Sequence, residues 1–384
     1  MKINDLFDIN NLEYKWDVIE SIPEFAKLKE CQQNPKYHAE GNAWIHTKAV
    51  CDAATRYFKT ESNSTNSPDF IKKVMMAALF HDIGKGATTT FSKGGWHSYG
   101  HEIVGPGITR RILFDECIPM REDICFLVQY HMEPLRILDG KNYLEKMVTL
   151  SKTLKGLKGV YLVKMFDIEG SKRSDNEEWK DYAYLNTFLN YAKNLSAYDY
   201  PSTIPEIQYT GLASSRIPNK APVIVYMLIG LPGSGKSTYA EAFKGREPDC
   251  IVINRDSIRS ELGFCQTGKK MVGDDEQEKA VTQSESQKIR RGLETGCKLF
   301  IIDNLNLKRK YREQYKNLFQ GENVVYKYVY FETENIKVNL ERRKDEIGQD
   351  VFDKMIERLD WPTYIEYQTL SYCVERTYGS NYLS

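Results

Sequence analysis

The sequence predicts two domains, an all-α N-terminal one and a C-terminal α/β one built on a parallel sheet, and three observations carry that prediction. The chain has 384 residues, more than one hydrophobic core usually organises. All six histidines fall between His38 and His131, so any imidazole chemistry belongs to the first part of the chain. Apolar runs of strand length at 223–229, 250–254, 298–302 and 324–331 alternate with helical stretches such as 275–294, the pattern of a parallel sheet covered by helices.

Residues 1–40 read as helical segments packed on the first domain, and from 41 to about 192 the apolar spacing is mainly helical. Phe70–Phe80 and Ile124–Tyr130 are examples, each bounded by polar breaks. Pro201, Pro205, Pro218 and Pro222 mark a connecting segment over 196–221, which divides an N-terminal domain (1–195) from a C-terminal one (222–384). Basic and acidic residues balance at 53 each, so nucleic-acid binding would need a local patch rather than a global charge. The eight cysteines form no C-x-x-C pair and no regular spacing, which speaks against a zinc ribbon or a disulfide framework and for a reducing, cytoplasmic setting. No signal peptide or membrane span is expected, since no apolar run approaches about eighteen residues.

Gly230–Thr238, GLPGSGKST, meets the full requirement of a phosphate-binding loop. Gly230, Gly233 and Gly235 permit positive φ and close backbone approach, so that amide N–H groups converge on phosphate oxygens. Gly233, Ser234, Gly235, Lys236, Ser237 and Thr238 would surround the phosphates of ATP or another NTP, with Lys236 on the β and γ groups and Ser237 on Mg²⁺. The strand before the loop and the helix expected from Thr238 supply the right context, because a helix N-terminus favours an anion.

Past the next strand, IVINRDSIR places Asp256 and Arg259 on one face of a helix. A carboxylate there can orient a hydroxyl and take its proton, and an arginine can grip a neighbouring phosphate. An alcohol beside a phosphate describes a polynucleotide 5′ end. From about 223 to 375 the chain resembles the polynucleotide 5′-kinase family, which implies Asp256 as general base and Arg259 on the 3′ phosphate of the terminal nucleotide. Asp303 ends the strand LFIIDNLN, where a role near Mg²⁺ or acceptor is expected, with Asn304 or Asn306 assisting. The family's lid carries arginines four residues apart before a Val-Pro pair. Here Arg342 takes the first place, Glu346 stands at the second and Phe352 replaces the proline, which leaves Arg342, Arg343 and Lys344 as candidates for the cation over the transferring phosphate. Lys308, Arg309, Lys310 and Arg312 form the one dense basic cluster nearby, either a steering patch for a strand of nucleic acid or an ordinary exposed face.

In the first domain, His46, His81-Asp82, His101, His131 and Asp167 occur in that order. The order resembles the HD phosphohydrolase superfamily over roughly residues 41–175. That resemblance implies one metal on His46, His81, Asp82 and Asp167, a second on His101 and His131 bridged by Asp82, and Lys85 near the scissile phosphate. Imidazole and carboxylate ligands together suit Mn²⁺, Ni²⁺, Co²⁺, Fe²⁺ or Zn²⁺, and two such ions activate water and clamp the oxygens of a phosphoryl displacement. His38 reads as an ordinary packed residue, and His97, close to His101, as a substrate contact or a bystander. The stretches SYGHE and FDIEGS are similar to the HD domain attached to bacterial tRNA nucleotidyltransferases, which acts on RNA 2′,3′-cyclic phosphates.

As a whole the chain resembles the two-domain HD phosphatase and polynucleotide kinases of bacterial RNA repair. The expectation is an enzyme that heals both ends of broken RNA, or DNA, ahead of an RNA ligase. Two alternatives stay open: an HD nucleotidase fused to a nucleoside or sugar kinase, and a kinase with a non-catalytic HD module that senses nucleotides or binds RNA. Oligomeric state, preferred NTP and native metal are open at this stage.

Overall fold

The computed structural model describes residues 1–60, 66–202, 222–264, 275–332, 336–343, 347–363, 366 and 369–374. The contacts divide the chain into two compact units, Met1–Ile207 and Gln208–Ser384. Of the connecting segment expected over 196–221, residues 203–221 lie outside the described residues. Residues before them pack on the first unit, where Leu157 N donates to Ala197 O and Ser202 N to Ser151 Oγ.

The first unit is helical. Short elements within 1–27 precede α1 (Ala43–Thr60), α2 (Pro68–Phe80), α3 (Lys85–Thr88), a hairpin of β1 (Thr90–Ser92) and β2 (Gly95–His97), α4 (His101–Ile112) and α5 (Ile118–Tyr130). After one further turn come α6 (Tyr143–Leu154), α7 (Lys158–Gly170) and α8 (Glu178–Asn194). The hairpin adds a little β structure to the domain expected to be all helix. Helix α2 starts where Ser67 Oγ accepts from Phe70 N, with Pro68 at its first position. Its residues Val74–Phe80 are all buried, so it is the central helix, enclosed on every side, and it delivers His81-Asp82 into the interior.

The second unit is a five-stranded sheet, all parallel, in the order β4-β5-β3-β6-β7. Its strands are β3 (Val223–Gly230), β4 (Ile251–Ile253), β5 (Leu299–Asp303), β6 (Val324–Glu332) and β7 (Thr369–Val374). The helices are α9 (Lys236–Arg246), α10 (Arg255–Glu261), α11 (Asp275–Glu294), α12 (Arg309–Leu318), α13 (Ile336–Arg343) and α14 (Gln349–Glu357). One core cluster comprises Leu228, Ala240, Cys250, Ile301, Val329 and Phe331. Because β3 is the middle strand, with β4 and β5 on one side and the chain then crossing to β6 and β7 on the other, its carboxyl end is a switch point, where open α/β sheets bind ligands. Among the described residues no helix is long and apolar enough to cross a membrane.

Candidate active sites

In the first unit His81 follows the last residue of α2 and His131 the last of α5. A helix leaves its final carbonyls without intrahelical partners, and each imidazole fills one. His81 Nδ1 bonds Ala78 O at 2.8 Å, and His131 Nδ1 bonds Val128 O at 2.7 Å. His101, opening α4, does the same with Ser98 O at 2.9 Å. A nitrogen facing a carbonyl carries a proton, and where burial keeps the ring neutral, as at His101 and His131, the inward Nε2 is bare. His101 Nε2 and His131 Nε2 lie 3.3 Å apart, as do His46 Nε2 and His81 Nε2.

Asp82 sits between the two pairs. Its Oδ1 is 3.3 Å from His101 Nε2, and its Oδ2 is 3.2 Å from His81 Nε2 and 3.5 Å from His46 Nε2. Asp167 Oδ1 lies 3.0 Å from His46 Nε2 and 3.9 Å from His81 Nε2. The donor atoms fall into two groups, each spanning no more than 4.8 Å: His46, His81 and Asp167, then Asp82, His101 and His131. Gly84 makes this approach possible, since a Cβ there would stand 2.2 Å from His101 O.

Charge follows the same plan. Burial would raise the Asp82 carboxyl, but His81 and Lys85 hold it well below the usual carboxylate range. Asp167, likewise buried, is held down by Lys164 and His46. Burial lowers His101 and, with His101 and His81 beside it, lowers His131 far below the ordinary imidazole value. Burial also opposes a charge on His46, yet Asp167 and Glu40 bring it to about 9. Neutral His101 and His131, with lone pairs turned toward an ionised carboxylate, fit a divalent cation, while one held by His46 would have to displace its proton.

Five further contacts escape sequence reasoning. Glu40 Oε1 is 2.9 Å from both His46 Nδ1 and His38 Nδ1. Thus His38, expected to be an ordinary packed residue, flanks the carboxylate partner of His46. Lys85 Nζ lies 2.6 Å from Asp82 Oδ2 and donates to Gln33 Oε1 at 2.6 Å. Lys164 Nζ sits 2.6 Å from Asp167 Oδ2, one helical turn before it.

In the second unit β3 runs into the glycine loop at the carboxyl edge of the sheet. Gly233 and Gly235 take positive φ, 73° and 89°. Gly230, expected to do so as well, ends the strand instead, where a Cβ would lie 2.6 Å from Phe331 O. Lys236 Nζ donates to Gly230 O at 2.9 Å and Leu231 O at 2.8 Å, which keeps the ammonium inside the loop's curve. Ser234 is buried, and Ser237 and Thr238 follow Lys236 in the first turn of α9.

Beyond β4, Asn254 caps α10 by accepting from Ser257 N at 2.9 Å, and its amide donates to Asp303 Oδ2 at 2.7 Å. One asparagine thereby ties the start of the Asp256 helix to the buried carboxylate ending β5. Asp256 is exposed, and its Oδ1 accepts from Arg259 Nη1 at 2.6 Å. Arg259 also donates through Nε and Nη2 to Glu278, a partner unforeseen from sequence. Asn304 accepts from Arg255 N at 3.0 Å and joins Tyr315, which hydrogen-bonds Glu285. Asn306 is buried and braces Leu228 O at 2.7 Å below the loop.

At the expected lid, Arg342 Nη1 donates to Gly233 O at 3.0 Å and Asn339 Nδ2 to Pro232 O at 2.9 Å, so α13 lies against the phosphate loop. The Arg343 side chain, Lys344 and Glu346 lie outside the described residues. Phe352, where the family has proline, is buried in α14. Of the basic cluster, read as a steering patch or an ordinary exposed face, Arg309 and Lys310 are exposed and Arg312 is the correction. Arg312 is wholly buried and paired with Glu366 at 2.9 Å, Arg309 pairs with Glu313, Lys308 Nζ is 3.6 Å from Asp360, and Lys310 lies over the ring of Tyr311.

The HD domain family model matches residues 43–158, and a family model described as an AAA domain matches residues 225–362. The chain joins an HD domain to a P-loop domain. This HD domain implies divalent metals, and the P-loop domain a nucleotide with Mg²⁺. A solved structure from Chloroflexus aurantiacus, described as a "putative kinase", is 17% identical, covering 40% of this chain and 89% of that one with a TM-score of 0.30. No curated protein matches the sequence.

Proposed function

We propose that the protein heals both ends of broken RNA. The P-loop domain would phosphorylate 5′-hydroxyl ends from ATP or another NTP, and the HD domain would remove a 2′,3′-cyclic, 2′- or 3′-phosphate. What carries the reading is the pairing, on one chain, of the His101–His131 and His46–His81 cluster with a phosphate loop followed by Asp256 and Arg259. We take residues 1–195 as the hydrolase unit, 196–221 as the connection and 222–384 as the kinase unit. RNA with both ends healed is a substrate for an RNA ligase, the class of enzyme expected to act next.

In the kinase unit Lys236 would neutralise the β and γ phosphates and Ser237 would hold Mg²⁺ beside Asp303. Asp256 would accept the proton of the 5′-hydroxyl, Arg259 would grip the adjoining 3′ phosphate, and Arg342, already against Gly233, would reach the transferring group. In the HD unit His46, His81, Asp82 and Asp167 would hold one divalent ion, and His101 and His131, with Asp82 shared, the other. When bound, such ions polarise water and the phosphoryl oxygens. Lys85, 2.6 Å from Asp82 Oδ2, would bind the substrate phosphate beside that shared carboxylate.

The test uses one RNA oligonucleotide with a 5′-hydroxyl and a 2′,3′-cyclic phosphate, radiolabelled NTP, Mg²⁺, and Mn²⁺ or Ni²⁺. Lys236→Ala should abolish 5′ labelling alone and Asp82→Ala loss of the cyclic phosphate alone. If the wild-type protein changes neither end but phosphorylates nucleosides, RNA repair is the wrong assignment and the small-molecule kinase takes its place.

A further inference from the structure

The hairpin β1–β2 is inserted between two parts of the HD cluster. Four residues separate Lys85 from its first strand, and three separate its second from His101. Thr89 Oγ1 and Ser98 Oγ meet at 2.8 Å and close its base, and the Ser98 carbonyl is the one that orients His101. Lys93 and Gly94 both take positive φ at its tip, the conformation that matches the twist of paired strands. The hairpin is therefore a built rim, covalently tied to the donor atoms.

What that rim presents to solvent is aromatic. Phe91 and Trp96 pair across the hairpin in edge-to-face contact, with ring centroids 5.2 Å apart. His97 and Tyr99 are stacked, 5.0 Å between centroids and 9° from parallel. Tyr99 is 80% exposed, so one face of its ring rests on His97 and the other is open. It stands two residues before His101, which limits their Cα separation to about 7 Å. Nothing in packing accounts for an exposed ring held parallel to another beside a phosphate-handling cluster.

Resting on the reading of the HD site as one that acts on RNA 3′ ends, we propose that Tyr99, backed by His97, is a stacking platform for the terminal unpaired nucleobase of that RNA. A flat base extends the existing stack by one layer, and its own phosphate then reaches the His101–His131 side of the cluster. Stacking tolerates any base, which suits an enzyme that meets ends of arbitrary sequence.

The test compares full-length wild type, Tyr99→Ala and Tyr99→Phe, loaded with Mn²⁺, on two oligonucleotides ending in 2′,3′-cyclic phosphate. One is intact and the other lacks its terminal base. Tyr99→Ala should raise KM for the intact RNA about tenfold, within the range a single base stack supplies, with kcat nearly unchanged. It should leave the abasic-ended RNA as wild type handles it, and Tyr99→Phe should behave as wild type. Fluorescence titration of the metal-free proteins with the 3′-phosphorylated oligonucleotide should give the same order of affinities. Equal KM values for Tyr99→Ala and wild type on intact RNA, or equal losses on both RNAs, overturn the platform while sparing the end-healing reading. Wild type that hydrolyses p-nitrophenyl phosphate but neither RNA overturns that reading, and the platform with it.

Discussion

His101 and His131 face each other with unprotonated Nε2 atoms 3.3 Å apart, because each ring commits its Nδ1 proton to a backbone carbonyl. Two lone pairs at that distance repel unless a cation lies between or beside them. That pairing suits a shared divalent ion, and binding should be seen as stability. Saturating Mn²⁺, at about a hundred times its Kd, should add about 2.7 kcal/mol, or about 5–10 °C in Tm for a unit of this size. Scanning calorimetry with Mn²⁺ and with EDTA measures it, and His131→Ala should lose most of the gain.

Glu40 should act through His46 rather than on substrate. Its Oε1 lies 2.9 Å from His46 Nδ1 and fixes which ring nitrogen faces the cluster. Glu40→Gln keeps the shape but removes the charge that makes Nε2 a strong donor. Metal affinity should fall about 10- to 100-fold, read by isothermal titration with Mn²⁺, while 5′ phosphorylation stays at the wild-type rate.

Arg312 should prove structural, unlike its neighbour Lys310. Arg312→Ala leaves the buried Glu366 carboxylate without its partner and should cost about 3–5 kcal/mol. Lys310→Ala should change the denaturation midpoint little. Urea unfolding of both variants followed by the P-loop domain's Trp361 fluorescence distinguishes them, and equal stability would sink the ion-pair argument.

A pH dependence follows from Glu122, buried between Arg110 and Arg121. Burial would raise its carboxyl, but the two guanidiniums hold it below its ordinary value. A carboxyl lowered in the folded state stabilises above its unfolded pKa, near 4.3, and that contribution is lost as pH falls through the lower folded value. Wild type should therefore lose stability below about pH 4. Glu122→Gln should be less stable at pH 7 and should show a shallower decline in acid, checked by denaturant midpoints of the HD unit at pH 7, 4 and 3.

How far the sequence revealed this molecule depends on the range of each interaction. The phosphate loop, β3 to β6 and helix α11 are local patterns, and each was legible from its own residues. Strand β7, at the sheet edge, has only six residues, and its sequence carries no continuous apolar run of strand length. The exposed hairpin over 90–97 has no burial pattern at all. Glu40 and Glu278 act through partners that only the fold brings near, so nothing in their flanking sequence marks them. Arg312 did carry a signal. It shares a helix face with Tyr315 and Phe319, both buried, and that stripe points inward.

Arg259 offers the sharpest separation of polynucleotide from small-molecule acceptors. Its guanidinium spans Asp256 at 2.6 Å and Glu278 at 2.9 Å, so it is fixed in place before an acceptor arrives. An acceptor that bears a 3′ phosphate competes with Glu278 for the same donors, whereas a nucleoside has nothing to offer them. Arg259→Ala should therefore raise KM about tenfold, the loss of one charge-assisted contact of about 1.5 kcal/mol, for a 5′-hydroxyl nucleoside 3′-monophosphate. It should leave the unphosphorylated nucleoside unaffected. Asp256→Asn should instead lower kcat for both acceptors alike, since the proton it takes belongs to the hydroxyl common to them. Steady-state kinetics on the two acceptors resolve the two effects. If Arg259→Ala weakens both equally, the arginine serves only to hold Asp256, and the case for a phosphate contact fails.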